Sequence, residues 1–302
     1  MTTPGRSAIL LAVSFLFIIP FAGKKEQLLQ LSKKYFPENY AVLKEYDEST
    51  IDILASGNSV KEFIADVPTI VHEGYHTYTN THSSYHDSLV AFRINDTLSF
   101  FVKNIKTFPS SLLNSIVPDS VQKRIFRYKT YIDSKDKYLV TQQFGILGLL
   151  EEMAAYYQSY HTALALFKYH VDQTGWKTPA PWMKYLGHIA SYRYCITEFE
   201  LFISWYLQYA KAKYPLQYKD ILANKELKKM LQFIHGENTR LSVLYDRNRM
   251  EILKNFKQLE IGDNYIMNRS DLSGQGLYDN EVKEMNALLS KPEHKIYRDF
   301  LQ

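Results

Sequence analysis

A helical pattern from 142 to about 173 is the longest in this sequence, and it sets the architecture that the rest of the chain must satisfy. Apolar and small side chains recur through it at helical spacing. Gly175 closes it, and Pro179 and Pro181 stand beyond, where a helix stop belongs. A second tract of the same kind, 182–213, follows directly, and further helices fit 218–234 and 238–259. Helices as apolar as the first two bury themselves only against other elements, so the expected fold class is predominantly α, with any β structure as a minor addition.

The remaining segments fit that frame. Residues 26–46 read as helix with a break at Pro37, and Ser59 with Glu62 three residues later is a capping-box pattern. A helix is therefore expected from near Val60, bent at Pro68, to about Tyr78. Residues 89–102 read as two short β-runs around Asn95-Asp96, the one hairpin expected. Pro109 and Pro118 bracket a loop-rich stretch, and helix resumes near Ser120. Residues 262–279, with their Gly, Asn, Asp and Ser, are expected to be an exposed loop before a final short helix or two. No repeat or linker-like composition divides the chain, so residues 24–302 are expected to form one domain.

Residues 1–23 differ in kind. Arg6 is the only charged side chain before an apolar run that ends at Lys24-Lys25, a pattern that predicts an export signal cleaved near Lys24. The alternative is an uncleaved membrane anchor, because the run from Ser7 to Gly23 lies near the lower limit for spanning a bilayer. No Cys follows the run, which excludes a lipid-modified N-terminal cysteine. The chain is thus expected outside the cytoplasm, with membrane contact only if that segment is retained. Cys195 is the only cysteine, so no intrachain disulfide exists and stability rests on the core. Its aromatic helical surroundings predict a buried filler rather than a nucleophile. A net charge of +4 spread over interspersed Lys, Arg, Asp and Glu offers no basic stripe for nucleic acid.

The chemistry concentrates at His72-Glu73-Gly74-Tyr75-His76. Two histidines four residues apart on a helix project from one face about 40° apart, so both imidazoles reach one metal ion. Glu73, beside the first ligand, is placed to act as general base on a water rather than to ligate. The flanking residues are uncharged, which suits a buried metal-bearing helix. A catalytic zinc needs a third protein ligand and an open position. His82 and His86 repeat the four-residue spacing, but they lack an intervening Glu and lie in a Ser, Thr and Asn setting. They are expected at a cleft or surface.

Glu152 is the expected third ligand. Gly145, Gly148, Ala155, Ser159 and Ala163 lie within about 60° of it on a helical wheel. Small side chains there let another helix approach, and the helix bearing His72 and His76 is expected to pack on that stripe. Glu151, on the face of Gln158 and Thr162, is expected toward solvent. Candidates for an oxyanion donor are Tyr156, Tyr131, His161, His188, Arg193 and His235, with Tyr156 first because it shares the Glu152 face.

Together these segments resemble the zincin metallopeptidases, and within them the gluzincins, whose third ligand is a Glu on a later helix. That family's Leu-x-Glu-x-x-Ala-x-Tyr type of segment matches Leu150, Glu152, Ala155 and Tyr157. The string FGILGLLEEMAAYY is also similar to one in exported bacterial proteins. The resemblance implies a zinc hydrolase acting on a peptide or protein substrate, with His72, His76 and Glu152 as ligands. It covers two helices only. The gap from His76 to Glu152 is longer than in thermolysin-like enzymes, and Tyr156 stands where those carry an Asp. The alternative from another class is a non-catalytic exported binding protein that keeps a structural zinc, closed by His82 or His86.

Overall fold

The computed structural model describes residues 23–84, 89–95 and 97–302. The expected export signal, save Gly23, lies outside the described residues, as do His86 and Asp96. The architecture is predominantly helical with two small antiparallel sheets. Among the described residues, no helix is long and apolar enough to cross a membrane.

The chain opens with α1 (Lys24–Tyr35), α2 (Tyr40–Glu45), α3 (Glu48–Leu54) and α4 (Val60–Phe63), followed by α5 (Val67–His82). The break at Pro37 is present. Glu62 Oε2 accepts the backbone N–H groups of Asn58 and Ser59, as the capping box predicts. The helix it starts stops at Phe63 instead of bending at Pro68. Proline lacks an N–H and clashes with the carbonyl four residues back, so the chain turns and restarts with Pro68 in the first turn of α5.

The expected hairpin follows as β1 (Leu89–Asn95) and β2 (Leu98–Lys103), with a register irregularity at Arg93/Asn95. Short helices α6 (Asp119–Gln122), α7 (Tyr128–Tyr131) and α8 (Val140–Gln143) lead into α9 (Ile146–Ala165) and α10 (Phe167–Gln173). The single helix expected over 142–173 is therefore divided. Gly145 has φ +55°, and a Cβ there would stand 2.3 Å from the Phe108 carbonyl oxygen. Gly148 faces α8, where a Cβ would meet the Val140 carbonyl oxygen at 2.3 Å. Of the small-residue stripe, Ser159 is the member that bonds to α5, its hydroxyl donating to the Pro68 carbonyl at 2.9 Å.

Next come α11 (Ala180–Lys213), α12 (Pro215–Ala223) and α13 (Lys225–Asn255). The expected break near 234–238 is absent. Gly236 has no heavy atom within 4 Å of its Cβ position, and one glycine in a long helix costs only about 1 kcal/mol. The break falls instead at Asn224, whose side chain accepts Leu227 N–H and caps α13. The expected 262–279 loop is also corrected. β3 (Leu259–Ile261), β4 (Tyr265–Asn268) and β5 (Gly274–Gly276) form a sheet, ahead of α14 (Asp279–Leu289) and α15 (Lys295–Leu301). Gln275 of β5 fills the space left by the missing side chain of Gly187 on α11.

Two cores share the work. The larger is built around α9 and α11, with Trp182, Phe199, Phe202, Tyr206 and Tyr160 at its centre. The smaller holds α1–α5 together through Phe36, Leu43, Tyr46, Phe63, Ile70 and Val71. Each such side chain contributes roughly 1.5–3 kcal/mol on burial. α5 belongs to both, because Val67, Ile70 and Val71 face the smaller core while Tyr75 enters the larger. Gly74 lies under the Tyr46 ring, and a Cβ there would be 3.2 Å from it.

Two glycines with the same backbone sign test this reading. Gly145→Ala should destabilise the fold by about 2–4 kcal/mol, because strain and collision add. Gly175, at φ +60° with nothing within 4 Å, should cost only about 1 kcal/mol on the same change. Urea unfolding of both variants measures the difference, and equal losses would contradict the packing assigned to Gly145.

Candidate metal centre

His72 and His76 stand one helical turn apart on α5, as their spacing predicts, and their Nε2 atoms approach to 3.1 Å. Glu152 of α9 brings Oε2 to 3.6 Å from each. Among the described residues this is the one cluster of three or more His, Cys, Asp or Glu side chains disposed to hold a metal ion. The point equidistant from the three atoms lies about 2.0 Å from each of them, against ~2.0–2.2 Å for zinc bonded to imidazole and carboxylate. The edges also bracket the ~3.3 Å separation of tetrahedral ligands at that bond length. The spacing of the three donor atoms therefore suits an ion of zinc's size.

Electrostatics point the same way. Glu152 is 5% exposed. Burial alone raises its pKa, but hydrogen bonds to His72 and His76 outweigh that effect and hold the carboxyl at about 2. Burial likewise opposes charge on His76, yet Glu151 and Glu152 together push its pKa up to about 10. Two carboxylates thus hold positive charge between them, a demand that a divalent cation also meets.

The expectation that Glu151 faces solvent is corrected. Its Oε1 lies 3.2 Å from His76 Nδ1, in the wall of the same cavity. The polar face it shares with Gln158 and Thr162 is real, but α9 is buried on every side, so that face is used inside the protein. Gln158 Nε2 donates to the carbonyls of Arg93 and Ile94, and Thr162 Oγ1 accepts from Asn39. Once His76 gives up its Nε2 proton, the proton kept between Nδ1 and Glu151 fixes the tautomer whose Nε2 lone pair faces His72 and Glu152, as ligation requires.

The cavity beside these residues measures about 580 Å³. Glu73, exposed on α5, lines it together with His72, His76, Glu152 and Tyr131. Tyr131 donates from its hydroxyl to Glu152 Oε2 at 3.0 Å. Tyr156 stands behind it, hydroxyl to hydroxyl at 3.2 Å, with its ring 4.4 Å from that of His72. Burial raises both phenols, Tyr156 to about 12 and Tyr131 further, so both stay protonated and able to donate. Of the six donor candidates, Tyr131 is the one that lines the cavity.

The others lie elsewhere. His235 pairs with Glu200 at 2.8 Å, Arg193 pairs with Asp279, His161 packs beside Tyr157, and His188 lines a separate pocket. His82 is bound to Glu45 at 2.7 Å. Cys195 is fully buried, its thiol pushed well up by burial, as its apolar surroundings predict. On β1, Ala91 N–H donates to Ser83 Oγ and the Arg93 carbonyl accepts from Gln158, so both groups are engaged within the protein.

Sequence reasoning missed Arg127 and Glu198. Arg127 Nη1 lies 2.8 Å from Glu198 Oε2, and its backbone N–H donates to Glu198 Oε1. The guanidinium sits 4.9 Å from the centre of the Tyr156 ring. A carboxylate within the apolar run of α11 was the available signal, since a buried Glu implies a partner. The pair lies against Tyr156, whose hydroxyl meets that of Tyr131, the donor to Glu152. No protein-family model, curated protein or solved structure matches the chain.

Removing one member of this buried pair strands the other charge. Arg127→Met should destabilise by about 3–5 kcal/mol, whereas Arg127→Met combined with Glu198→Leu should recover most of that loss. A double-mutant cycle by chemical denaturation checks it, and additive losses would mean that the pair is not coupled.

Proposed function

We propose that this chain is an exported zinc-dependent hydrolase of the zincin type that cleaves peptide or protein substrates. The observation that carries the reading is the His72, His76 and Glu152 triangle, whose centre suits zinc, opening on a cavity that Glu73 also lines. Zinc held there would supply a Lewis acid that lowers the pKa of a water toward about 7 and polarises a substrate carbonyl. Glu73 is free of the ligand set and faces the same space, which suits it to accept the proton of the attacking water and deliver it to the leaving amine. Tyr131 lines the cavity and donates its hydroxyl to Glu152, which orients that carboxylate toward the histidines, and Tyr156 meets the same hydroxyl from behind. Glu151 orients His76. Val90, Phe144 and Leu147 give the cavity an apolar side against which a substrate side chain can pack. His82 is engaged by Glu45, so among the described residues no further histidine stands ready to close the shell.

Metal content is the first test. The purified protein should carry about one zinc per chain, and His72→Ala, His76→Ala or Glu152→Ala should lose it. Glu151→Ala should keep the ion but bind it roughly 10–100-fold more weakly, because only its orienting bond to His76 is lost. Elemental analysis with chelator competition reads both effects. Stoichiometric zinc retained in both histidine variants would remove the site.

Glu73→Gln separates catalysis from binding. It should retain zinc and fold while peptide hydrolysis falls by about 10²–10⁴-fold. Digestion of a peptide library by wild type and variant supplies the comparison. Equal cleavage would exclude Glu73 as the base, and cleavage by neither would favour a binding protein.

A further inference from the structure

A second pocket lies where the turn between α4 and α5 meets the end of α9, α10 and the start of α11. Its volume, about 390 Å³, falls within the ~300–1,000 Å³ range of small-molecule sites. Most of its wall is apolar, with Ile64, Ala65, Pro68, Leu166 and Ile189 among the lining residues. Two histidines, His170 and His188, interrupt that wall. Neither imidazole has a side-chain hydrogen-bond partner among the described residues, whereas His76, His82, His235 and His294 each have one. Both rings are half-buried, so each presents a polar edge within an otherwise mostly apolar wall.

The charges around the pocket indicate what those edges would meet. Lys61 and Lys184 line it, and the one acidic lining residue, Glu62, is turned onto the backbone N–H groups of Asn58 and Ser59. Burial, then the neighbouring His188, pushes His170 down to about 4. Burial followed by the Lys184 ammonium lowers His188 as well, with Asp66 opposing. Both imidazoles are thus neutral N–H donors at neutral pH, and Lys184 stands within electrostatic reach of His188. A group that accepts hydrogen bonds and carries one negative charge complements this set, while an apolar body complements the rest of the wall.

We propose that this pocket binds a small apolar carboxylate, its head group on His170, His188 and Lys184 and its hydrocarbon body along the wall at Ala65 and Ile189. The site is separate from the candidate metal centre, and its occupancy does not depend on the proposed hydrolysis.

Calorimetric titration of the full chain with decanoate, 1-decanol and decyltrimethylammonium tests it, since the three share a chain and differ in head-group charge. Decanoate should bind at a single saturable site, at least 10-fold more tightly than the cation. The exposed substitution Lys184→Glu should weaken decanoate by about 10-fold and leave decanol unchanged. Ala65→Phe, which fills the pocket from a half-buried turn, should abolish binding of both. A cation bound as tightly as decanoate, decanoate binding unaffected by Ala65→Phe, or no saturable binding below the aggregation concentration would each overturn the proposal. Zinc content measured on the same samples separates this result from any failure of the metal centre.

Discussion

A carboxylate at the middle of a helix packed on all sides is costly, by several kcal/mol, unless other elements bring it partners. Glu152 is that carboxylate, and α9 itself supplies no cation. Its company comes from two other places in the chain, the imidazoles of α5 and the phenol of Tyr131 on α7. Each must be positioned to within a few tenths of an ångström. Much of the fold follows from that requirement. α7 is a single turn of helix, and it is held through Ser110, Thr141 and Gln142, which all donate to the carbonyl of Tyr131.

α5 is fixed from both sides. Its outer face is covered by the N-terminal helices, and Tyr46 lies directly on Gly74, between the two histidines in sequence. Its inner face meets α9, where Ser159 bonds to the carbonyl of Pro68, one turn before His72. The N-terminal helices therefore serve the candidate centre without contributing a ligand to it. A rigid support of this kind limits the reorganisation needed when charge develops in a reaction, which is where preorganised sites gain most.

What the sequence made legible was periodic or local. Most of the helices, the β1–β2 hairpin, the four-residue histidine spacing and the register that brings Glu152 beside both histidines follow from angles along one helix or strand. The errors arose where a residue's setting depends on a distant segment. Glu151 reads as solvent-facing because its neighbours Gln158 and Thr162 are polar, and a wheel does not distinguish a polar surface from a polar interior. β4 and β5 read as loop because strands of three or four residues are too short to show alternation. Ile266 and Leu277 in fact anchor that region in the core. Arg127 gave no local sign at all, since its partner Glu198 is 71 residues away.

Cys195 carries a consequence of a different sort. It is the only thiol in the chain and lies fully buried in α11. Any disulfide this chain forms must therefore be to another molecule, a second copy among them, and it forms only when the core around α11 has opened. In an oxidising medium the native molecule is covalently inert, while each excursion that exposes the thiol risks capture as a linked dimer. The slow accumulation of that dimer acts as a clock, recording how often the larger core comes apart under conditions where nearly every molecule is folded.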